Sequence, residues 1–241
     1  MPYRKEKFNN GDIYHIVLRA IDENLIFKDL DDYYRGIFSI YEFNDAKPVV
    51  IRDRRQARSR IKRILRKADK DPRFATDFRD KMVEILAFCL MPNHLHLLVR
   101  QLKDNGITKF MRKFGAGYGG YFNKKYNRKG HVFQNNFKTV PIKNDEQLKI
   151  VWVYIHANPL SLIEPKWKER GIRNLVRAVK FLESYKWSSC LDYLGAVNFP
   201  SVTKREFITE LMGSQNNCKE FLNDYIKYRG RVKESPELVL E

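Results

Sequence analysis

Two apolar segments joined by a tight turn constrain the fold of this chain more than any other feature. Residues Val83 to Met91 read VEILAFCLM, Pro92-Asn93 follow, and His94 to Arg100 read HLHLLVR. Apolar runs of this length bounded by turn residues predict strands, and a two-residue connection makes the strands antiparallel neighbours. Because the first run carries a single charged residue, we expect it to be buried.

The segments around this hairpin alternate between strand and helix patterns. We predict a first strand at Gly11 to Ile21, a helix at Leu30 to Phe43, a second helix at Ile107 to Phe122, a fourth strand at His131 to Ile142, and a third helix from Asn144 toward Asn158. This order is typical of an α+β fold with a ferredoxin-like or RRM-like antiparallel sheet and helices on one face. Four glycines interrupt the second helix, so we expect close backbone packing or a bend there.

Two further segments extend this core. Residues 45–80 form a predicted basic helical insertion, with nine basic residues and one acid between Arg52 and Lys67. Within it Arg58, Lys62 and Arg66 form a basic row at helical spacing, which is either a solvated face or a phosphate contact. Residues 161–241 are predicted to be a helical C-terminal extension packed on a domain formed by residues 1–160.

The charge of the chain favours a polyanionic partner. Lys and Arg number 46 against 29 Asp and Glu, which gives a formal net charge of +17. Since phosphate contacts gain from counterion release, we expect nucleic acid. No apolar run approaches the ~20 residues of a spanning helix, so no membrane partner is expected. Three scattered cysteines predict neither disulfides nor a thiolate zinc site, and a cytoplasmic location is expected.

Two histidines in the third strand are candidate metal ligands. In a strand, residues i and i+2 project from the same face, so His94 and His96 point outward together while Leu95 points into the core. Two imidazoles ~6–7 Å apart at their Cα atoms can hold one cation. From this spacing alone, a hydrogen-bonded pair of surface histidines remains the alternative interpretation.

A tyrosine and an asparagine share one face of the third helix. Tyr154 and Asn158 are four residues apart, and an apolar stripe beside them would fix the helix to the sheet. The residues alone also allow a packing role for Tyr154, because most tyrosines pack with a hydrogen-bonded tip. His156 is expected to face elsewhere and to be structural. His15 and His131, on the first and fourth strands, are candidate neighbours of the site, although buried, hydrogen-bonded positions are the favoured interpretation.

Taken together, these motifs resemble the tyrosine transposases of the HUH superfamily (histidine, hydrophobic, histidine). The string CLMPNHLHLLVR is followed, 58 residues after His96, by Tyr154 in VYIHANP. Further likeness lies in YHIVLRA, YFNKKYNRKGHVFQ and YKWSSCLDYLG, and the resemblance covers about residues 8–195. It is closest to the REP-associated tyrosine transposases and the Y1-type transposases of single-strand insertion sequences.

The resemblance implies a metal-dependent single-stranded DNA endonuclease and strand transferase, that is, a transposase. In such enzymes the positions of His94 and His96 bind Mg²⁺ or Mn²⁺, and Asn158 matches the residue that completes the metal site. The tyrosine attacks a phosphodiester and forms a 5′-phosphotyrosine link. The implied partner is single-stranded DNA with hairpins, REP-like or from a transposon end, with no nucleotide cofactor. The enzyme is implied to be a monomer or a homodimer.

Basic and polar residues near the predicted site are candidate DNA contacts. Besides the basic row of the insertion, they are Lys113, Lys124, Lys125, Arg128, Gln134 and Lys138. Basic side chains can contact phosphates along an unpaired strand.

Two other functions are weighed against the transposase. A domesticated hairpin-binding protein that no longer cuts would keep the basic surface, but it has no need of the histidine pair together with Tyr154 and Asn158. A histidine-triad hydrolase expects a third alternating histidine, and this chain has Leu98 there.

Overall fold

The fold is built on a four-stranded antiparallel sheet. A computed structural model of the protein describes residues 7–57, 59, 77 and 79–228. The strands are β1 (Ile13–Arg19), β2 (Val83–Met91), β3 (His94–Gln101) and β4 (Lys138–Pro141), and they lie in the order β2-β3-β1-β4. With the first two helices, the chain order is β-α-β-β-α-β, that of the ferredoxin-like unit. The predicted fold class is therefore confirmed.

Helices cover both faces of the sheet. The first two, α1 (Leu30–Glu42) and α2 (Gly106–Lys125), pack on one face, as the ferredoxin-like prediction requires. The other face is covered by α3 (Asp145–Ala157). The 3-10 segments are Ile21–Glu23 and Asn158–Leu162, and the later helices are α4 (Trp167–Arg170), α5 (Leu175–Ser184), α6 (Cys190–Tyr193), α7 (Glu206–Met212) and α8 (Gln215–Tyr228). Of the helices in the described part of the chain, none is both long and apolar enough to cross a bilayer.

The alternation of β3 decides what lies on each face. Leu95 and Leu97 join the hydrophobic cluster under α1 and α2, whereas Leu98 joins the cluster under α3. His94 and His96 therefore project toward α3. They were expected to point outward, yet His96 is only 1% exposed because a helix covers that face.

The third helix is apolar on nearly all sides because it lies between two layers. Every residue from Val151 to Ala157 is buried, with the sheet on one side and the C-terminal helices on the other. Its start is fixed by Asn144, whose side chain accepts from the backbone N–H of Gln147 at 2.8 Å. The Gln147 side chain accepts in turn from the N–H of Lys143, also at 2.8 Å, so the two side chains together cap the start of the helix. These bonds set the register of the helix that carries Tyr154.

The fourth strand is shorter than the predicted span of residues 131–142. The ladder covers only Lys138–Pro141, and Phe133 pairs separately with Ala20 beyond the end of β1. Between the two pairings the chain bends at Asn135 and Asn136. Asparagine side chains compete for local backbone hydrogen bonds and favour turns, which interrupts the strand.

Most of the predicted basic insertion lies outside the described residues, including Arg58, Lys62 and Arg66. Of the described part, residues 51–57 are helical. The predicted boundary near residue 160 stays a prediction. The described helices on its two sides contribute to one hydrophobic cluster.

The glycines of α2 are not equivalent. A Cβ at Gly117 would overlap the ring of Phe43, whereas one at Gly115 or Gly120 would meet no heavy atom within 4 Å. A Cβ at Gly119 would make ordinary contact with Val132. Among the four glycines that interrupt the helix, the close packing expected from the sequence is thus concentrated at Gly117.

We predict opposite effects for two alanine substitutions in this helix. Gly117→Ala should lower the free energy of unfolding by about 1–3 kcal/mol, because the new methyl group displaces the Phe43 ring. Gly115→Ala, the matched control, should raise it by about 1 kcal/mol through helix propensity alone. Urea unfolding followed by circular dichroism measures both values. If both substitutions changed the free energy of unfolding equally and in the same direction, overlap with Phe43 would not be the cause of the Gly117→Ala effect.

Candidate active site

Three imidazoles form a continuous row on the α3 side of the sheet. His94 Nε2 lies 3.0 Å from His96 Nε2, and His96 Nδ1 lies 3.0 Å from His15 Nε2. In the pairing of β1 with β3, Val17 is opposite His96 and Arg19 is opposite His94. Odd-numbered residues of β1 therefore share the face of the two histidines, which makes His15 a diagonal neighbour of His96.

Asn93 fixes the hydrogen position on the first imidazole. Its Oδ1 lies 2.6 Å from His94 Nδ1. A carboxamide oxygen can only accept, so His94 carries its hydrogen on Nδ1 and a lone pair on Nε2. His96 can donate from Nδ1 to His15 and then also presents a lone pair on Nε2. The two Nε2 atoms are the groups of this site that could hold a metal ion.

Burial keeps the three imidazoles neutral. Desolvation lowers the pKa of His15 and of His94 to about 3, and it lowers the pKa of His96 well below the ordinary value. The positive charge of Lys168 adds to the lowering for all three. Neutral imidazoles keep lone pairs available for a cation at neutral pH.

Tyr154 projects from α3 onto this row. Its ring centroid lies 5.8 Å from that of His96 and 6.0 Å from that of His15, in both cases edge to face. The side chain is buried, and its hydroxyl oxygen accepts a hydrogen bond from Lys168 Nζ at 3.0 Å. The structure therefore places the Tyr154 phenol of α3 against the imidazoles of the sheet, as the sequence motifs predict.

Asn158 lies one turn after Tyr154, at the end of α3. It is buried, and its Nδ2 donates to the backbone carbonyl of Tyr154 at 3.3 Å. This bond uses the amide nitrogen and leaves the amide oxygen for another partner. Across the described ranges, three or more His, Cys, Asp or Glu side chains are nowhere grouped to hold a metal ion. A role for Asn158 as a third ligand stays a prediction.

Two cationic residues near the row were not identified from the sequence. Arg19 ends β1 directly opposite His94, and Lys168 reaches Tyr154 from α4. A signal for Arg19 existed, because it lies four residues after His15 on a predicted strand and so shares its face. Lys168 lies in no motif, and only the tertiary packing places it at the site.

The candidate DNA contacts fall on different sides of the sheet. Lys138 pairs with Val17, which pairs in turn with His96, so Lys138 shares the face of the histidines and is exposed. Gln134, Arg128 and Lys124 are also exposed.

Two candidates on α2 are held by contacts within the protein. Lys113 donates to the backbone carbonyls of Asp45 and Lys47, and Lys125 pairs with Asp29 and the buried Asp32. Because α2 covers the sheet face away from the histidines, these lysines are not neighbours of the row. DNA contact by all of these residues stays a prediction.

His156 has a structural position, as expected. Its Nε2 lies 2.7 Å from the hydroxyl of Ser189, which also accepts from the backbone N–H of Phe88. Ser189 belongs to the string YKWSS, and the Trp187 carbonyl accepts from the N–H of Leu90. This string therefore closes the outer edge of β2 and anchors α3 to it.

The comparisons with known proteins agree with the motifs. Residues 53–158 match the family model described as IS200-like transposase, and this span contains both strand histidines, Tyr154 and Asn158. Over this span the chain is similar to that family of transposases.

Two solved structures show a weaker likeness, and no curated protein matches the chain. A REP-associated tyrosine transposase bound to a REP hairpin is 15% identical with a TM-score of 0.37, over 67% of this chain and 74% of that one. The tRNA(His) guanylyltransferase from Saccharomyces cerevisiae is 12% identical with a TM-score of 0.31, over 95% of this chain and 82% of that one. Likeness at this level carries no argument about function.

We predict that burial of His156 makes the metal-free protein less stable as the pH falls. Desolvation lowers the pKa of His156 from 6.5 to about 3. Below pH 6.5 the unfolded chain takes up a proton that the folded protein does not, so stability is lost as the pH falls. Between pH 7.5 and 5.5, His156→Gln should reduce this loss by about 1 kcal/mol.

Urea unfolding in the presence of a chelator at both pH values measures the effect. His131 was expected to be buried but is exposed, so it supplies the control, and His131→Gln should lose as much stability between these pH values as the wild type. If His156→Gln lost as much stability between pH 7.5 and 5.5 as the wild type, burial of His156 would not be the cause of the pH dependence.

Proposed function

We propose that this protein is a transposase that cuts and joins single-stranded DNA at or near hairpins, with Tyr154 as the nucleophile and a divalent metal ion at His94 and His96. The observation that carries the proposal is the packing of the Tyr154 ring against His96, 5.8 Å between centroids, on a covered face of the sheet. A phenol and two metal-binding nitrogens are the groups that a tyrosine transesterase needs.

The spacing of the imidazoles supports a metal centre. Adjacent ligands of an octahedral ion with bonds of about 2.1 Å lie about 3 Å apart. The two Nε2 atoms are separated by 3.0 Å. With a carboxamide oxygen from Asn158 and no thiolate, this donor set admits Mg²⁺ or Mn²⁺. When bound, such an ion polarises a non-bridging oxygen of the scissile phosphate.

The residues of the chain supply the rest of the reaction. The Tyr154 oxygen attacks the phosphorus, the bond to the 3′ oxygen breaks, and a 5′-phosphotyrosine link and a free 3′-OH result. The new link is again a phosphodiester, so strand joining needs no nucleotide. Arg19 and Lys168 place two positive charges near this position, and a site shielded from water strengthens their attraction for phosphate.

We predict that Tyr154→Phe abolishes covalent protein–DNA adducts while leaving the affinity for DNA within about threefold. Only the attacking oxygen is lost, whereas the basic surface remains. Denaturing gels with internally labelled single-stranded hairpin DNA and Mn²⁺ detect the adduct, and fluorescence anisotropy gives the affinity. Tyr34→Phe, which removes an exposed phenol on α1, is the matched control and should form adducts like the wild type.

An adduct that persists in Tyr154→Phe would refute the assignment of the nucleophile. If the wild type binds hairpins tightly but cleaves none across a broad panel, the non-cleaving hairpin-binding protein is the correct function instead.

We predict that Asn93→Ala weakens Mn²⁺ binding about 10- to 100-fold, because the partner that orients a metal-bound histidine tunes its affinity. Asn93 holds His94 Nδ1 and leaves Nε2 for the ion. Isothermal titration of the metal-free protein with Mn²⁺ measures the dissociation constant. Asn10→Ala, an exposed substitution near the opposite end of β3, should not change it. Unchanged binding in Asn93→Ala, or binding that survives His94→Ala, would exclude this metal site.

A further inference from the structure

The ammonium group of Lys168 lies at the oxygen that the proposed reaction uses. We propose that Lys168 is a catalytic residue that donates a hydrogen bond to the Tyr154 oxygen and stabilises the phenolate during attack. This inference rests on the proposed function, since it assigns a role in the same reaction.

Two contacts join the ammonium to a single phenol. Lys168 Nζ lies 3.0 Å from the hydroxyl oxygen of Tyr154 and 4.5 Å from the centroid of its ring. The hydrogen bond directs positive charge at the atom on which negative charge develops. The contact with the ring holds the side chain over the same phenol.

The backbone of Lys168 is anchored independently of these contacts. The preceding residue, Trp167, is 1% exposed and belongs to the cluster beneath α3. Its indole Nε1 donates to Ser161 Oγ at 3.2 Å, and its backbone N–H donates to the Glu164 carbonyl at 3.0 Å. Trp167 therefore fixes the start of α4, from which Lys168 reaches the site.

The chemistry needs such a group. A phenol ordinarily ionises near pH 10 and is a weak nucleophile at neutral pH. As the bond between the Tyr154 oxygen and phosphorus forms, the bond to the 3′ oxygen breaks. The phenolic hydrogen passes to water, and the departing 3′ oxygen takes a hydrogen from water. Lys168 keeps its proton throughout and acts by its charge.

Three substitutions test whether the positive charge of the side chain at position 168, rather than its length or a nearby lysine, supports the reaction. Lys168→Met removes the charge at similar length, and Lys168→Arg keeps a positive charge. Lys166→Met is the matched control, because it removes an exposed lysine two residues earlier on the same segment. Thermal melting verifies that each variant folds. Initial rates of adduct formation under single-turnover conditions are then measured from pH 6 to 10 with Mg²⁺, and anisotropy gives the affinity for DNA.

We expect Lys168→Met to lower the adduct rate about 100- to 1,000-fold at pH 7.5, the loss typical when one positioned hydrogen-bond donor to a developing negative charge is removed. Its rate should rise further with pH than that of the wild type and recover part of the loss near pH 10. Lys168→Arg should keep the wild-type pH profile with a smaller loss, and Lys166→Met should match the wild type.

Two results would overturn the inference and leave the proposed function intact. One is a Lys168→Met variant whose pH profile has the wild-type shape. The other is a loss of rate that saturating DNA restores, which would make Lys168 a phosphate contact only. If the wild type forms no adduct while Tyr154 remains folded in its site, the proposed function fails and the role of Lys168 fails with it.

Discussion

The candidate site depends on the antiparallel register of β1 and β3. This pairing sets Val17 opposite His96 and Arg19 opposite His94, and it puts His15 on the same face. Because side chains alternate along a strand, a slip of one residue would turn His15 and Arg19 toward α1 and α2. The hydrophobic residues between them hold the register, since Ile16 and Leu18 are buried in the opposite cluster. The packing of one face thus specifies the chemistry of the other.

The second constraint is the position of α3 between two layers. The sheet lies on one side, and the C-terminal helices lie on the other. Trp152 and Val153 are fully buried in this layer, so the helix cannot rotate without exposing large apolar surface. Tyr154 consequently meets the imidazoles from a fixed direction. Lys168 and Ser189 come from residues beyond 160, so the predicted extension supplies part of the site as well as its cover.

Local sequence patterns predict the parts of the site that belong to a single element. Strand alternation pairs His94 with His96, helical spacing pairs Tyr154 with Asn158, and Asn144 marks the start of α3. Features that depend on contacts between elements are missed. Spacing within one strand cannot show that His15 borders His96, because strand pairing decides this. The break before β4 is likewise decided by two asparagines that override a β-rich pattern.

Lys168 is the extreme case, because no periodicity or motif connects a residue of a four-residue helix with a tyrosine 14 positions earlier. The contact exists because Trp167 finds its place in the core, and this is a property of the packed structure. Sequence reasoning therefore brings His94, His96 and Tyr154 to one candidate site but misses the charges around them.

The positive charges around the site favour an anionic ligand. Arg19 and Lys168 both lower the pKa of His94, so positive charge accumulates around imidazoles that burial already keeps neutral. Concentrating like charges in a poorly hydrated site costs stability in the free protein. A bound anionic phosphodiester makes the electrostatic energy of these cations favourable, because each cation then has a negatively charged partner. Under the proposed function, the arrangement that is unfavourable before binding is the one that selects a phosphate and holds it beside Tyr154.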